Sequence, residues 1–187
     1  KTEKQTAFKR IDGGDQPLNV ALTDTIQLQV EPGQFVQVNG EINRQMIDQV
    51  LDLVRKTTSE RESVAVDLFC GSGNFSLPLA AEFDRVIGIE GLTELVEKAQ
   101  ENAQRNNITN TEFVVSDLSN WTGMRKIKGK VDLVLLDPPR SGAAGVMPWI
   151  VKTKAKQVIY ISCHPSTMVR DLKVLAEAGY KMTAAGV

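Results

Sequence analysis

At 187 residues, with 42% hydrophobic and 24% charged side chains, the chain has ordinary globular composition and enough length to bury one large core. Its 22 basic residues against 23 acidic ones exclude a domain that grips nucleic acid by bulk charge, so any such grip is local or belongs to another part of the protein. Two cysteines, Cys70 and Cys163, exclude a disulfide framework, and no signal peptide or apolar run of roughly 18 residues is present, so a reducing cytoplasm is the expected setting and no membrane is involved.

Lys1 to Arg10 is polar and charged, and Asp12-Gly13-Gly14-Asp15 reads as a turn. Thr25 to Val30 alternates with period two, as a half-exposed strand does. Pro32-Gly33 then turns the chain, and Phe35 to Val38 reads as the returning strand of a hairpin. From Glu41 the period becomes helical: Ile42, Met46, Val50 and Val54 recur every four residues, with Ile47 and Leu51 beside them, to about Lys56. Residues 1–40 thus read as a hairpin-bearing remnant of a preceding region, in a chain that starts mid-protein, and 41–187 as the main domain.

After Thr57-Thr58-Ser59, strands and helices alternate. Val64 to Phe69 is a continuous apolar run, the mark of a strand buried on both faces. Cys70-Gly71-Ser72-Gly73 is a tight loop, and Asn74 to Ala81 opens a helix. Val86 to Glu90 is the second strand, and Thr93 to Asn107 a helix with Thr93 as its expected N-cap. Phe113 to Ser116, Val131 to Leu136 and Val158 to Ser162 are the next three strands. Ser166 to Ala178 is a helix closed by Gly179, and Tyr180 begins a sixth strand. Such βα alternation predicts a doubly wound α/β domain with a mostly parallel sheet and helices on both faces.

Gly71-Ser72-Gly73 after the first strand suits nicotinamide, flavin, nucleotide and S-adenosylmethionine sites alike. In the dinucleotide fingerprint a third small residue follows; Ser76 is tolerable there, but Asn74-Phe75 puts a bulky pair at the helix start. Asp67 lies inside a buried strand, which is costly unless a cation or a hydrogen-bond donor meets it. The ammonium and sulfonium groups of S-adenosylmethionine answer that acid, whereas a pyrophosphate would oppose it. Glu90 ends the second strand, where an acid can accept both ribose hydroxyls, and Asp117 follows the third, where one can reach the adenine amine. With Asp137 after the fourth, four acids face the crevice in which open α/β sheets bind ligands. Singly, such acids also serve as loop solubilisers or helix caps.

The fourth strand ends Leu136-Asp137-Pro138-Pro139-Arg140, with Arg140 where amino-methyltransferases carry an aromatic that stacks on the target base. The fifth ends Ile161-Ser162-Cys163-His164-Pro165, which puts a cysteine at the same rim. Asp137-Pro138-Pro139-Arg140-Ser141-Gly142, followed by Ile161-Ser162-Cys163-x-Pro165-x-Thr167-x-x-Arg170-Asp171, resembles the RNA 5-methyluridine methyltransferases. Phe35-x-Gln37-x-Asn39 and Asp67-Leu68-Phe69-Cys70-Gly71-x-Gly73-Asn74-Phe75 match the same family. The resemblance covers about residues 33–180. Ala143 to Met147 is most similar to the branch acting on 23S ribosomal RNA, with the tRNA branch as the alternative.

The resemblance implies a Rossmann-like class I methyltransferase domain over 41–187. It implies that Gln37, Phe69, Asn74, Glu90, Asp117 and Asp137 line an S-adenosylmethionine site, with Asp67, Gly71 and Gly73 in the loop motif and Asp137 also near the uracil. It implies that Cys163 is the nucleophile. The chemistry has an independent rationale: carbon 5 of uracil becomes nucleophilic only after a thiolate adds at carbon 6. Such a thiol needs electropositive surroundings, for which Arg140 and Arg170 are candidates unless they bind phosphate or sit in ion pairs. His164 replaces a small polar residue, either as a tolerated loop substitution or as a protonatable neighbour of the thiol.

Cys70 reads as a packing residue, and two cysteines with one histidine leave any zinc site short of ligands. The family's general base is a glutamate in a His-x-Glu segment near the C-terminus, which does not occur before Val187. Its N-terminal RNA-binding domain, and the four cysteines holding an iron–sulfur cluster in some members, are likewise not found. The expectation is a C-terminally truncated catalytic domain that binds cofactor without completing methylation. Two other readings stay open: an amino-methyltransferase using Asp137-Pro138-Pro139, which leaves Cys163 idle, and a non-catalytic S-adenosylmethionine-binding module.

Overall fold

The computed structural model describes residues 17–31, 37, 39–56, 63–119, 121, 127 and 130–186. A two-stranded antiparallel hairpin comes first: β1 (Leu18–Ala21) pairs with β2 (Gln27–Val30), with Leu18 opposite Val30 and Ala21 opposite Gln27. The strand expected over Thr25–Val30 is therefore present but shorter, and its partner lies upstream. The turn between them is held by Leu22 N donating to Ile26 O (2.9 Å) and Ile26 N donating to Thr23 Oγ1 (3.0 Å). Of the returning strand expected at Phe35–Val38, only Gln37 is among the described residues, and it is irregular. The expected turns at Asp12–Asp15, Pro32-Gly33 and Thr57–Ser59 lie outside them.

Helix α1 (Gly40–Arg55) forms where the four-residue period predicts it, capped by Asn39, whose Oδ1 accepts from Glu41 N and Ile42 N at 3.1 Å each. Such a cap contributes about 1 kcal/mol. The buried face differs from the expected one. Asn43, Ile47, Val50, Leu51 and Val54 are buried, and Ile42 is 50% exposed. The stripe runs one residue round from the expected line and contains a polar residue.

The main sheet comprises β3 (Val64–Leu68), β4 (Arg85–Glu90), β5 (Thr111–Val115), β6 (Leu133–Leu136) and β7 (Gln157–Tyr160), all parallel. Their spatial order is β5-β4-β3-β6-β7. The chain winds outward from β3 in one direction, then crosses back to β6, so the switch point lies between β3 and β6, where open α/β sheets bind ligands. Side-chain alternation splits the core in two. Ala65, Val86, Leu133 and Leu135 pack with the hairpin, α1 and the helices α2 (Ser76–Leu79) and α3 (Thr93–Arg105). Val66, Leu68, Ile87, Val134 and Leu136 pack on the other face with α4 (Met147–Thr153) and α5 (Pro165–Glu177).

Three further expectations are corrected. The helix predicted over Asn74–Ala81 is helical only at Ser76–Leu79, with turns on either side of it. Thr93 is the first residue of α3; its N-cap position is Leu92, and the amides of Gly91 and Leu92 go to Glu90 Oε1 at 2.7 and 3.1 Å. The sixth strand at Tyr180 does not form. A strand needs a ladder partner, and no described residue pairs with this stretch, whose residues 181–186 are exposed. Tyr180 instead anchors it by donating its hydroxyl to Ala155 O (3.1 Å). α4 was not anticipated, since seven residues are too few to show a helical period. No helix of the described residues is long and apolar enough to cross a membrane.

Candidate active site

The parallel register brings the carboxyl ends of adjacent strands to one edge, and the sequence motifs lie there. The loop after β3 turns at Phe69 (φ 64°), Gly71 (φ 54°) and Gly73 (φ 102°), and Gly73 N donates to Cys70 O at 3.0 Å. Asp67 is buried in β3, on the face that meets α2. Its Oδ2 accepts the Ser76 hydroxyl at 2.6 Å, the donor that a buried acid requires. Burial raises its carboxyl to about 7; the Ser76 hydrogen bond opposes this, while Asp137 and Glu90 add to it by repulsion. Those repulsions put three of the four expected acids in one electrostatic neighbourhood. Asp137, directly after β6, is also raised, by burial.

Glu90 ends β4, and Gly71 N donates to its Oε2 at 3.2 Å, so this carboxylate ties the second strand end to the glycine loop. Asp117 stands two residues beyond β5, is exposed, and is lowered by the backbone amide of Ser119, which donates to its Oδ1 at 2.8 Å. Asn74 exchanges two hydrogen bonds with buried Asn43 of α1: Asn43 Nδ2 donates to Asn74 Oδ1 (2.8 Å), and Asn74 Nδ2 to Asn43 Oδ1 (3.0 Å). Gln37 is half-buried and irregular, ahead of the Asn39 cap. Cys70 is buried, in contact range of Gly88, and burial pushes its thiol well up, as befits an inert packing residue.

Cys163 is exposed, on the short link between β7 and α5. His164 follows at the N-cap of α5, where its backbone N–H donates to Ser162 Oγ (3.0 Å) and its Nδ1 lies 3.3 Å from Thr167 Oγ1. The imidazole thus has a partner within the first turn of α5. Arg170 is committed to an ion pair: its Nε donates to Asp171 Oδ1 at 2.9 Å and its Nη2 to Ser141 O at 3.0 Å. Arg140 is exposed and makes no ion pair among the described residues.

Asp171 is the hub that sequence reasoning missed. It is 1% exposed, and its Oδ2 accepts from Ala143 N (2.7 Å) and the Tyr160 hydroxyl (2.8 Å). It therefore joins β7, α5 and the loop after β6. Gly142 fits this junction only as glycine: its φ is 80°, and a Cβ would stand 2.6 Å from Asp171 Oδ2. The signal was legible in part, since Asp171 closes the Cys163-containing motif, but its partners were not. Asn43 left a clearer trace, as a polar residue on the apolar stripe of α1.

The donor set suits a cationic ligand. Asp67, deeply buried, is repelled by Asp137 and Glu90 at the neighbouring strand ends, and among the described residues no group of histidine, cysteine and carboxylate side chains could hold a metal. The residues therefore fit the ammonium and sulfonium of S-adenosylmethionine better than a pyrophosphate.

Comparison with known proteins bears on this geometry. Residues 2–185 match the family model described as tRNA (Uracil-5-)-methyltransferase. The chain is 44% identical over 167 residues to the 23S rRNA (uracil(1939)-C(5))-methyltransferase RlmD of Shewanella baltica, covering 89% of this chain and 36% of that protein. It thus spans about a third of the length of the curated relatives it matches. Among solved structures, the Pyrococcus abyssi tRNA (uracil-54, C5)-methyltransferase in complex with S-adenosyl-L-homocysteine superposes with a TM-score of 0.72 at 28% identity, covering 86% of this chain and 38% of that one. The magnesium protoporphyrin IX methyltransferase of Synechocystis, at 22% identity and a TM-score of 0.60 over 81% of this chain and 78% of its own, shares the fold.

Proposed function

The chain belongs to the tRNA (uracil-5-)-methyltransferase family, and from that premise we propose that it binds S-adenosylmethionine as the catalytic domain of an enzyme that methylates carbon 5 of a uridine in RNA. Likeness to the Shewanella protein favours 23S ribosomal RNA as the substrate, with tRNA as the alternative. The observation that carries the reading is an exposed cysteine on the link after β7, the strand next to β6 with its Asp137-Pro138-Pro139 loop, β6 in turn lying next to β3 with the glycine loop. These strands run consecutively as β3-β6-β7 and in parallel, so the cysteine, the Asp137 loop and the glycine loop share one edge of the sheet.

When bound, S-adenosylmethionine supplies an electrophilic methyl group. Asp67, Glu90 and Asp137 would hold its cationic end and ribose, Asp117 would meet the adenine, and Gln37, Phe69 and Asn74 would line the rest. The Cys163 thiolate adds to carbon 6 of the uracil; the Sγ–C6 bond forms and the double-bond electrons move into the ring as an enolate. Carbon 5 then bonds the methyl carbon as the sulfur–methyl bond breaks. A base takes the proton from carbon 5, the C5–C6 double bond re-forms, and the Sγ–C6 bond breaks to return the thiolate. Arg170 is held by Asp171, which leaves Arg140 as the cation at the rim for the enolate or a phosphate. The uridine reaches this rim unstacked, as chemistry on a base requires.

The test is an RNA carrying 5-fluorouridine at the target, incubated with S-adenosylmethionine and run on a denaturing gel. Fluorine cannot leave as a proton does, so the complete enzyme should give a persistent shifted band that Cys163→Ala abolishes. An equal shift with Cys163→Ala overturns the nucleophile. Methylation without any adduct points to amino transfer, and cofactor binding with neither points to a non-catalytic module.

A further inference from the structure

We propose that Asn102 is a positioning residue that couples the N-terminal hairpin to the cofactor loop, so that docking of the hairpin and binding of cofactor support each other. The inference rests on the reading above that the glycine loop holds S-adenosylmethionine. An asparagine side chain offers two N–H donors and one carbonyl acceptor. Asn102, on α3 and fully buried, uses all three. Gln29 N donates to its Oδ1 at 2.9 Å, and its Nδ2 donates to Gln29 O at 3.1 Å and to Ser72 O at 3.2 Å. One rigid amide therefore holds the backbone of β2 on one side and the glycine loop on the other.

A second asparagine one turn later provides a natural control. Gln27 N donates to Asn106 Oδ1 at 2.9 Å, and Asn106 Nδ2 donates to Gln27 O at 2.8 Å. From the C-cap position of α3, its second donation goes back to Asn102 O, at 2.7 Å. The spacing explains why the pair works. Four residues of helix rise about 6 Å, and two residues of strand span about 6.8 Å. Asn102 and Asn106 thus meet alternate residues of β2 as a neighbouring strand would, and they close that edge of the hairpin. The two residues make the same pair of contacts to β2 and differ in the bond to Ser72. That bond joins the hairpin's anchor to the loop between Gly71 and Gly73, where a carbonyl displaced by a fraction of an ångström would re-aim both turns.

Calorimetric titration of S-adenosylhomocysteine into wild type, Asn102→Ala and Asn106→Ala tests this, with urea unfolding recorded for each. Asn106→Ala should bind within about twofold of wild type, and Asn102→Ala at least about tenfold more weakly, beyond what its stability explains. Equal affinities for the two variants overturn the inference and leave the cofactor reading standing. Failure of wild type to bind overturns both. Should Asn102→Ala not fold, amide hydrogen exchange of wild type decides. Coupling is reciprocal, so S-adenosylhomocysteine should slow exchange of the Gln29 amide several-fold. Exchange at Gln29 unchanged by ligand overturns the proposal.

Discussion

Replacing Asp171 by Ala removes a carboxylate on which three elements converge, and the structure sets the size of the effect. The Ala143 amide, buried and 2.7 Å from Oδ2, loses its acceptor without access to water, which costs about 1–3 kcal/mol. The Tyr160 hydroxyl loses a hydrogen bond worth about 0.5–1.5 kcal/mol. Arg170 is half exposed and keeps Ser141 O, so solvent screening reduces its share to under about 1 kcal/mol. The expected loss is therefore about 3 kcal/mol, against about 1 kcal/mol for Tyr160→Phe, which removes a single bond. Urea unfolding followed by tryptophan emission reads both, since Trp121 and Trp149 pack with ring centroids 4.6 Å apart in the same core half. Asp171→Ala should also weaken the 5-fluorouridine adduct, because the Ser141–Ala143 backbone it holds follows Arg140 at the rim. A loss below 1 kcal/mol, or a Tyr160→Phe variant as damaged as Asp171→Ala, would refute the hub.

Two further outcomes follow from other contacts. A Cβ at Gly145 would run into the Ser119 carbonyl and stand 2.6 Å from Leu118 O, so Gly145→Ala should displace the segment after β5, cost about 1–3 kcal/mol and change the near-ultraviolet circular dichroism of the tryptophans; a wild-type spectrum and urea midpoint would exclude that approach. Asp67 is raised to about 7, so its contribution to stability is fully present below the unfolded value of about 3.9 and is lost as pH rises through 7. A cationic ligand favours its ionised form, so affinity for S-adenosylmethionine should climb with pH between 5 and 7, by at most about tenfold per unit, and flatten in Asp67→Asn. Titrations in matched buffers check this, and a flat wild-type profile would remove Asp67 from the ligand's charge.

Sequence alone determined the elements whose signal is local. The apolar runs that became β3, β4 and β6, the four-residue period of α1, the glycine loop and the acids near the strand ends were all legible. Each depends on burial or turn geometry within a few residues. The doubly wound class followed as well, from the βα alternation, while the order β5-β4-β3-β6-β7 came from the tertiary structure. Only the tertiary structure decided who partners whom. Asn102 meets Gln29 across 73 positions, Asn43 meets Asn74 across 31, and Asp171 meets Ala143 across 28. It also decided that Arg170 is spent on Asp171 while Arg140 is not, that Ile42 faces solvent, and that Tyr180 anchors a stretch without a ladder. A polar side chain announces that it needs a partner, but periodicity carries no record of which distant backbone group the folded chain will bring within 3 Å.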